Sequence, residues 1–174
     1  MNTANKLTLA RVVMIPAFML VLYLGIPGAN YWALLIFALA SITDWLDGYI
    51  ARNYNQTTDF GKFMDPLADK LLVIAVMTVF CQWDLMPAWA LMIVLTREFA
   101  VTGLRLVAVG KGKVIAAGWS GKVKTFSTMV GLCVMMAIPG IALLDGIVIG
   151  MIVVTTLYSG IEYFIQNWKC LWDE

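Results

Sequence analysis

The 174-residue chain is 61% hydrophobic and only 13% charged, with 12 basic residues against 11 acidic ones, no histidine and a mean hydropathy of +0.85. Soluble domains are nearer half apolar and a quarter charged, so the composition argues against both a soluble globular protein and a disordered chain. A net charge of +1 leaves no basic excess for nucleic acid, and without imidazole any chemistry must run on carboxylates, Lys, Arg, hydroxyls or thiols.

A membrane-crossing helix needs about 20 mostly apolar residues. In chain order the candidate runs are Leu9–Ile26, closed by the turn-forming GIPGAN, then Tyr31–Ile50 and Phe60–Trp83, the last with a polar N-terminal half. Met86–Val109, Val123–Ile138 and Ile141–Ile165 follow. The predicted fold is all-α and integral to the membrane: six transmembrane helices in one domain over residues 1–174, with a polar cavity at the cytoplasmic side. No cleavable signal is expected, because the start MNTANKLTLAR is polar and no small-residue cleavage site follows the first apolar run. No 20–50-residue repeat is visible. Cys81, Cys133 and Cys170 are scattered and read as buried or lipid-facing thiols.

With the N-terminus in the cytoplasm, the outer loops fall around Gly25–Tyr31, Gln82–Pro87 and Pro139–Gly146 and contain no Lys or Arg. All 12 basic residues then lie on or near the inner side, as the positive-inside rule requires. Trp32, Trp83 and Trp89 mark the outer interface, and Trp45, Trp119, Trp168 and Trp172 the inner one.

Ionisable groups at membrane depth are costly and are kept mainly for function. They gather in SITDWLDGYIARNYNQTTDFGKFMDPLADK, at the inner ends of the second and third spans. Asp44 and Asp47 are i and i+3, and Asp65 and Asp69 are i and i+4, so each pair shares a helix face. The polar NYNQTT stretch lets the two helices return antiparallel, and four carboxylates then converge. They would repel and protonate unless a cation lay among them. An oxygen-only donor set selects a hard ion, Mg²⁺, Mn²⁺ or Ca²⁺, and four carboxylates can hold two. Gly48 permits close packing or ligand approach, and Arg52 is either a positive-inside anchor or an anion clamp.

These residues spell D-x2-D-G-x2-A-R-x8-G-x3-D-x3-D, as Asp44, Asp47, Gly48, Ala51, Arg52, Gly61, Asp65 and Asp69. The pattern resembles the signature of the CDP-alcohol phosphatidyltransferases, and the likeness extends over nearly the whole chain. NKLTLARVVMIP, TREFAVTGLRLVA and GWSGKVKT resemble bacterial members that use sn-glycerol 3-phosphate as acceptor. The resemblance implies transfer of the phosphatidyl group of CDP-diacylglycerol to sn-glycerol 3-phosphate, with release of CMP, at the cytoplasmic face of a bacterial cell membrane by a homodimer among membrane lipids. It implies two Mg²⁺ ions, with Mn²⁺ as the alternative. Asp44 and Asp65 bridge them, Asp47 holds the first, and Asp69 holds the second and acts as general base on the acceptor hydroxyl. Gly48, Arg52 and Thr58, with Asn5 and Thr8 from a short interfacial helix in Met1–Ala10, match the family's nucleotide-contacting positions.

The acceptor's phosphate needs cations, and the candidates are Arg97, Arg105, Lys122 and Lys124, against a background reading of positive-inside bias. Arg105 lies seven residues after Glu98, about two turns, so Glu98 is expected to orient it. Two rivals stand. One is a sibling transferase with serine, inositol, inositol phosphate or phosphatidylglycerol as acceptor. The other is a carboxylate-lined cation transporter.

Overall fold

The structure, a computed structural model, describes residues 3–53, 59–113, 115–116 and 118–168, with side chains described except at 3–8, 44–53, 59–63, 65–66 and 69. Six helices follow in order: α1 (Thr3–Tyr23), α2 (Ala29–Asn53), α3 (Asp59–Gln82), α4 (Ala88–Gly110), α5 (Trp119–Ala137) and α6 (Ala142–Asn167). Among the described residues there is no strand. The chain forms two compact units, residues 1–79 with 136–139, and residues 80–135 with 140–174.

In the first unit, α1 and α2 pack along one another. The connection between them is short and is made by Gly25 and Gly28, both with positive φ, where a side chain would be strained. Phe18 and Leu22 of α1 are buried, as are Ala33, Phe37 and Ala40 of α2, at the i, i+4, i+7 spacing of one helix face. Arg11 is fully buried, its Nε donating to the Ala40 carbonyl at 3.3 Å. Separate helices over Met1–Ala10 and Leu9–Ile26 are not what forms: α1 is one helix from Thr3. Nothing in ANKLTLAR, which lacks Gly and Pro, breaks it.

In the second unit, α4 packs against α6. Leu85 and Met86 both donate backbone N–H to the Phe80 carbonyl and close α3, and Pro87 then starts α4 with extended backbone. At the far end of α4, Gly112 takes positive φ and Lys113 donates back to the Ala108 carbonyl at 2.9 Å, a left-handed helix stop. α5 approaches α6 closely at Gly131, where an added Cβ would stand 2.7 Å from Val148 Cγ1.

α6 is turned inside out relative to a soluble helix. Along its outward side Leu143, Ile147, Val154, Leu157, Ile161 and Ile165 form an apolar stripe, 46–77% exposed, with Tyr158 and Gln166 also exposed near its end. Its buried face carries Asp145, Thr156, Ser159 and Tyr163 among Val148, Ile149 and Ile152. A continuous apolar stripe of that size suits a hydrocarbon surrounding rather than water. Among the described residues α6 is the one helix long and apolar enough to cross a membrane; the apolar stretches Leu9–Tyr23, Ala29–Thr43 and Lys70–Gln82 are shorter. α4 is interrupted by Arg97, Glu98 and Arg105.

The Gly131 contact is testable. Gly131→Ala should cost about 1–3 kcal/mol through overpacking, and Val148→Ala in the same chain should recover part of it. Thermal unfolding in detergent checks this, and additive losses would reject the contact.

Candidate active site

The acidic motif divides between two helices. Asp44 and Asp47 lie in α2, Asp65 and Asp69 in α3, so both spacings fall on helical backbone. Their side chains lie outside the described residues, as do those of Asn5, Thr8, Gly48 and Arg52, while Thr58 lies outside altogether. The donor chemistry, carboxylate oxygens at helical spacing, suits a hard divalent cation.

The cation candidates are described in full. Arg97 and Glu98 stand near the middle of α4, where charge is expensive. Arg97 Nη1 donates to Glu98 Oε1 at 2.9 Å, and Lys124 Nζ of α5 donates to the same oxygen at 2.7 Å. Lys124 is only 5% exposed. The carboxylate neutralises one of the two cations and leaves the cluster with a single excess positive charge.

Arg97 reaches this position because two glycines make room. A Cβ on Gly160 of α6 would stand 3.1 Å from Arg97 Cγ, and one on Gly121 of α5 would stand 3.4 Å from its Nη2. Arg97 Nε is buried without a partner.

Arg105, two turns further along α4, is half-buried. It is not oriented by Glu98. Seven residues rise about 10 Å along a helix, too far for direct contact, and Glu98 Oε1 takes Arg97 and Lys124 instead. Arg105 Nε donates to the Tyr163 hydroxyl of α6 at 3.0 Å, and its guanidinium lies 5.4 Å from the Tyr163 ring centroid. Lys122 is exposed on the first turns of α5. Tyr163, Gly121 and Gly160 escaped the sequence reading. Gly121 sits inside the GWSGKVKT segment, but only the fold brings Gly160 and Tyr163 to α4.

The family profile described as CDP-alcohol phosphatidyltransferase matches residues 1–158. The chain belongs to the CDP-alcohol phosphatidyltransferase family. It is 42% identical to the CDP-diacylglycerol–glycerol-3-phosphate 3-phosphatidyltransferase of Bacillus subtilis (strain 168), over 98% of this chain and 97% of that one. It is 41% identical to the protein of the same name from Escherichia coli (strain K12), over 93% of this chain and 92% of that one. A probable phosphatidylglycerophosphate synthase of Mycobacterium tuberculosis (strain ATCC 25618 / H37Rv) is 40% identical over 93% of this chain and 79% of its own length. As a member of this family, and with α6 apolar along its outward face, the chain is membrane-associated.

Removing the shared carboxylate should be costly. Glu98→Ala leaves Lys124 buried without its counter-charge and should lower stability by about 3 kcal/mol, read as a fall in the unfolding temperature in detergent. Glu98→Gln should fall between, and an unchanged Glu98→Ala would show the cluster to be solvated.

Proposed function

We propose that the chain transfers the phosphatidyl group of CDP-diacylglycerol to sn-glycerol 3-phosphate, giving phosphatidylglycerophosphate and CMP. The observation that carries this reading is 41–42% identity, over nearly the whole chain, to enzymes named for that reaction. The charge pattern suits it: one substrate is a lipid with an anionic pyrophosphate head, and the other is a small dianion.

An acceptor hydroxyl oxygen attacks the phosphatidyl phosphorus, the new P–O bond forms, and the bond to the CMP phosphate breaks with its electron pair on CMP. Asp69 takes the hydroxyl proton. Asp44, Asp47, Asp65 and Asp69 hold two Mg²⁺ ions, with Mn²⁺ as an alternative, and divalent metal bound there supplies neutralisation of the pyrophosphate and of the leaving phosphate. Asn5, Thr8, Gly48, Arg52 and Thr58 bind CDP-diacylglycerol. Arg105 grips the acceptor phosphate, with Lys122 beside it, and Arg97 and Lys124 add the excess positive charge of their cluster. Positioning and electrostatics carry most of the rate, because a carboxylate beside a dication is a weak base.

In this reading the whole chain is one multi-pass membrane domain of six spans, with the N-terminus and a polar cavity on the cytoplasmic side. Support comes from the outer loops, which hold none of the 12 basic residues, and from a family match that runs through both units. The protein works as a homodimer. Supporting this, α4 presents Met92, Phe99 and Leu106, each 57–70% exposed, at seven-residue intervals, with Thr96 and Gly103 between them and Gly110 after them. Alternating large and small residues at this spacing suit knobs-into-holes packing by a second helix.

The purified protein with CDP-diacylglycerol, Mg²⁺ and sn-glycerol 3-phosphate should form phosphatidylglycerophosphate and CMP, scored by mass, and EDTA should stop it. Serine, inositol, inositol phosphate and phosphatidylglycerol should give no product. Asp44→Asn or Asp65→Asn should abolish CMP release without lowering the unfolding temperature. Metal flux into liposomes without CMP would replace this reading with transport. For the dimer, a Phe99→Cys chain should crosslink to itself across α4, and a monomeric mass in native detergent complexes would reject it.

A further inference from the structure

We infer that Tyr163 is a positioning residue for the acceptor phosphate, acting through Arg105; the inference rests on the reading of Arg105 as an acceptor cation. A guanidinium has five N–H donors in a planar fork. Arg105 commits one, the Nε–H, to the Tyr163 hydroxyl at 3.0 Å, and its Cζ lies over the same ring, 5.4 Å from the centroid. No other described residue bonds to it, so the four N–H groups on Nη1 and Nη2 are open. That open edge is the one that engages two phosphate oxygens in parallel.

Tyr163 is suited to hold that fork still. It is only 5% exposed and forms a buried cluster with Val101 and Leu104, against which Ile115 and Phe164 pack. Its ring therefore has little freedom, and the guanidinium resting on it loses rotamer freedom before substrate arrives.

The decisive feature is that Tyr163 is neutral. Arg97 and Lys124 are held by the Glu98 carboxylate, which cancels part of their charge. Arg105 is held by a hydroxyl and an aromatic face, which cancel none of it. The chain thus carries two kinds of cation: a partly neutralised pair, Arg97 of α4 and Lys124 of α5, that shapes the interior, and a pre-oriented guanidinium on α4 with its full charge available. The second kind suits a dianionic phosphomonoester, whose affinity depends on uncompensated positive charge, and offers little to an uncharged acceptor such as inositol.

Tyr163→Phe keeps the ring and the buried packing and removes only the hydroxyl. It should raise the KM for sn-glycerol 3-phosphate about tenfold, with kcat and the KM for CDP-diacylglycerol held within about twofold. In an Arg105→Ala background the same substitution should add nothing, because the interaction it removes is already gone. Two results overturn the proposal while leaving Arg105 in the acceptor site. In one, Tyr163→Phe leaves the acceptor KM unchanged, with or without a fall in unfolding temperature, while Arg105→Ala raises it. In the other, Tyr163→Phe raises that KM equally with and without Arg105. If Arg105→Ala itself leaves the acceptor KM unchanged, the acceptor-site reading fails first and the role of Tyr163 falls with it.

Discussion

A charge drawn out of water must find a counter-charge or a hydrogen-bond partner, because an unpaired ion in a low-dielectric interior costs several kcal/mol. That requirement organises the second unit around α4. Arg97, Glu98 and Lys124 meet on one carboxylate oxygen, with Lys124 nearly sealed from solvent. Arg105 meets the same requirement differently, with a hydroxyl and an aromatic face. The two solutions have different consequences. A carboxylate partner stabilises a cation by cancelling it, whereas a neutral partner orients the cation and leaves its field available to a ligand.

Helix packing follows from the same constraint. Long cationic side chains need space between helices, and glycine supplies it. Gly121 and Gly160 line the path of Arg97, and at Gly160 a methyl group would crowd it, 3.1 Å from Arg97 Cγ. Gly131 serves the ordinary purpose of letting α5 and α6 approach. The exposed surfaces show the complement of this pattern. α6 sends its polar groups inward and its large aliphatic side chains outward, the reverse of a helix facing water. Hydrocarbon offers no reward for a polar surface, so the polar residues are free to serve the interior.

The helices were legible because their signals are local. Apolar runs of spanning length alternate with Gly, Pro and Asn turns, and the expected spans Tyr31–Ile50, Phe60–Trp83 and Met86–Val109 fall within a few residues of α2, α3 and α4. The N-terminus is also instructive. The short interfacial helix expected over Met1–Ala10 is, from Thr3, the first part of α1, because no Gly or Pro separates it from the apolar run that follows. The Glu98–Arg105 pairing failed because a shared helix face is necessary for contact and not sufficient: the two-turn separation exceeds what side chains on one helix bridge.

The sequence by itself determined the family and the chemistry available to it. The spacing of Asp44, Asp47, Asp65 and Asp69 is a property of the chain, and helical periodicity alone puts each pair on one face. The absence of Lys and Arg from Gly25–Tyr31, Gln82–Pro87 and Pro139–Gly146 is likewise readable in one dimension. What only tertiary structure decided is the partner of each cation. Lys124 meets Glu98 across 26 residues of chain, and Arg105 meets Tyr163 across 58. Such pairings depend on how helices dock, which is set by packing volume rather than by any local pattern. Two arginines two turns apart on α4 are therefore held differently, Arg97 by a carboxylate and Arg105 by a hydroxyl and an aromatic face.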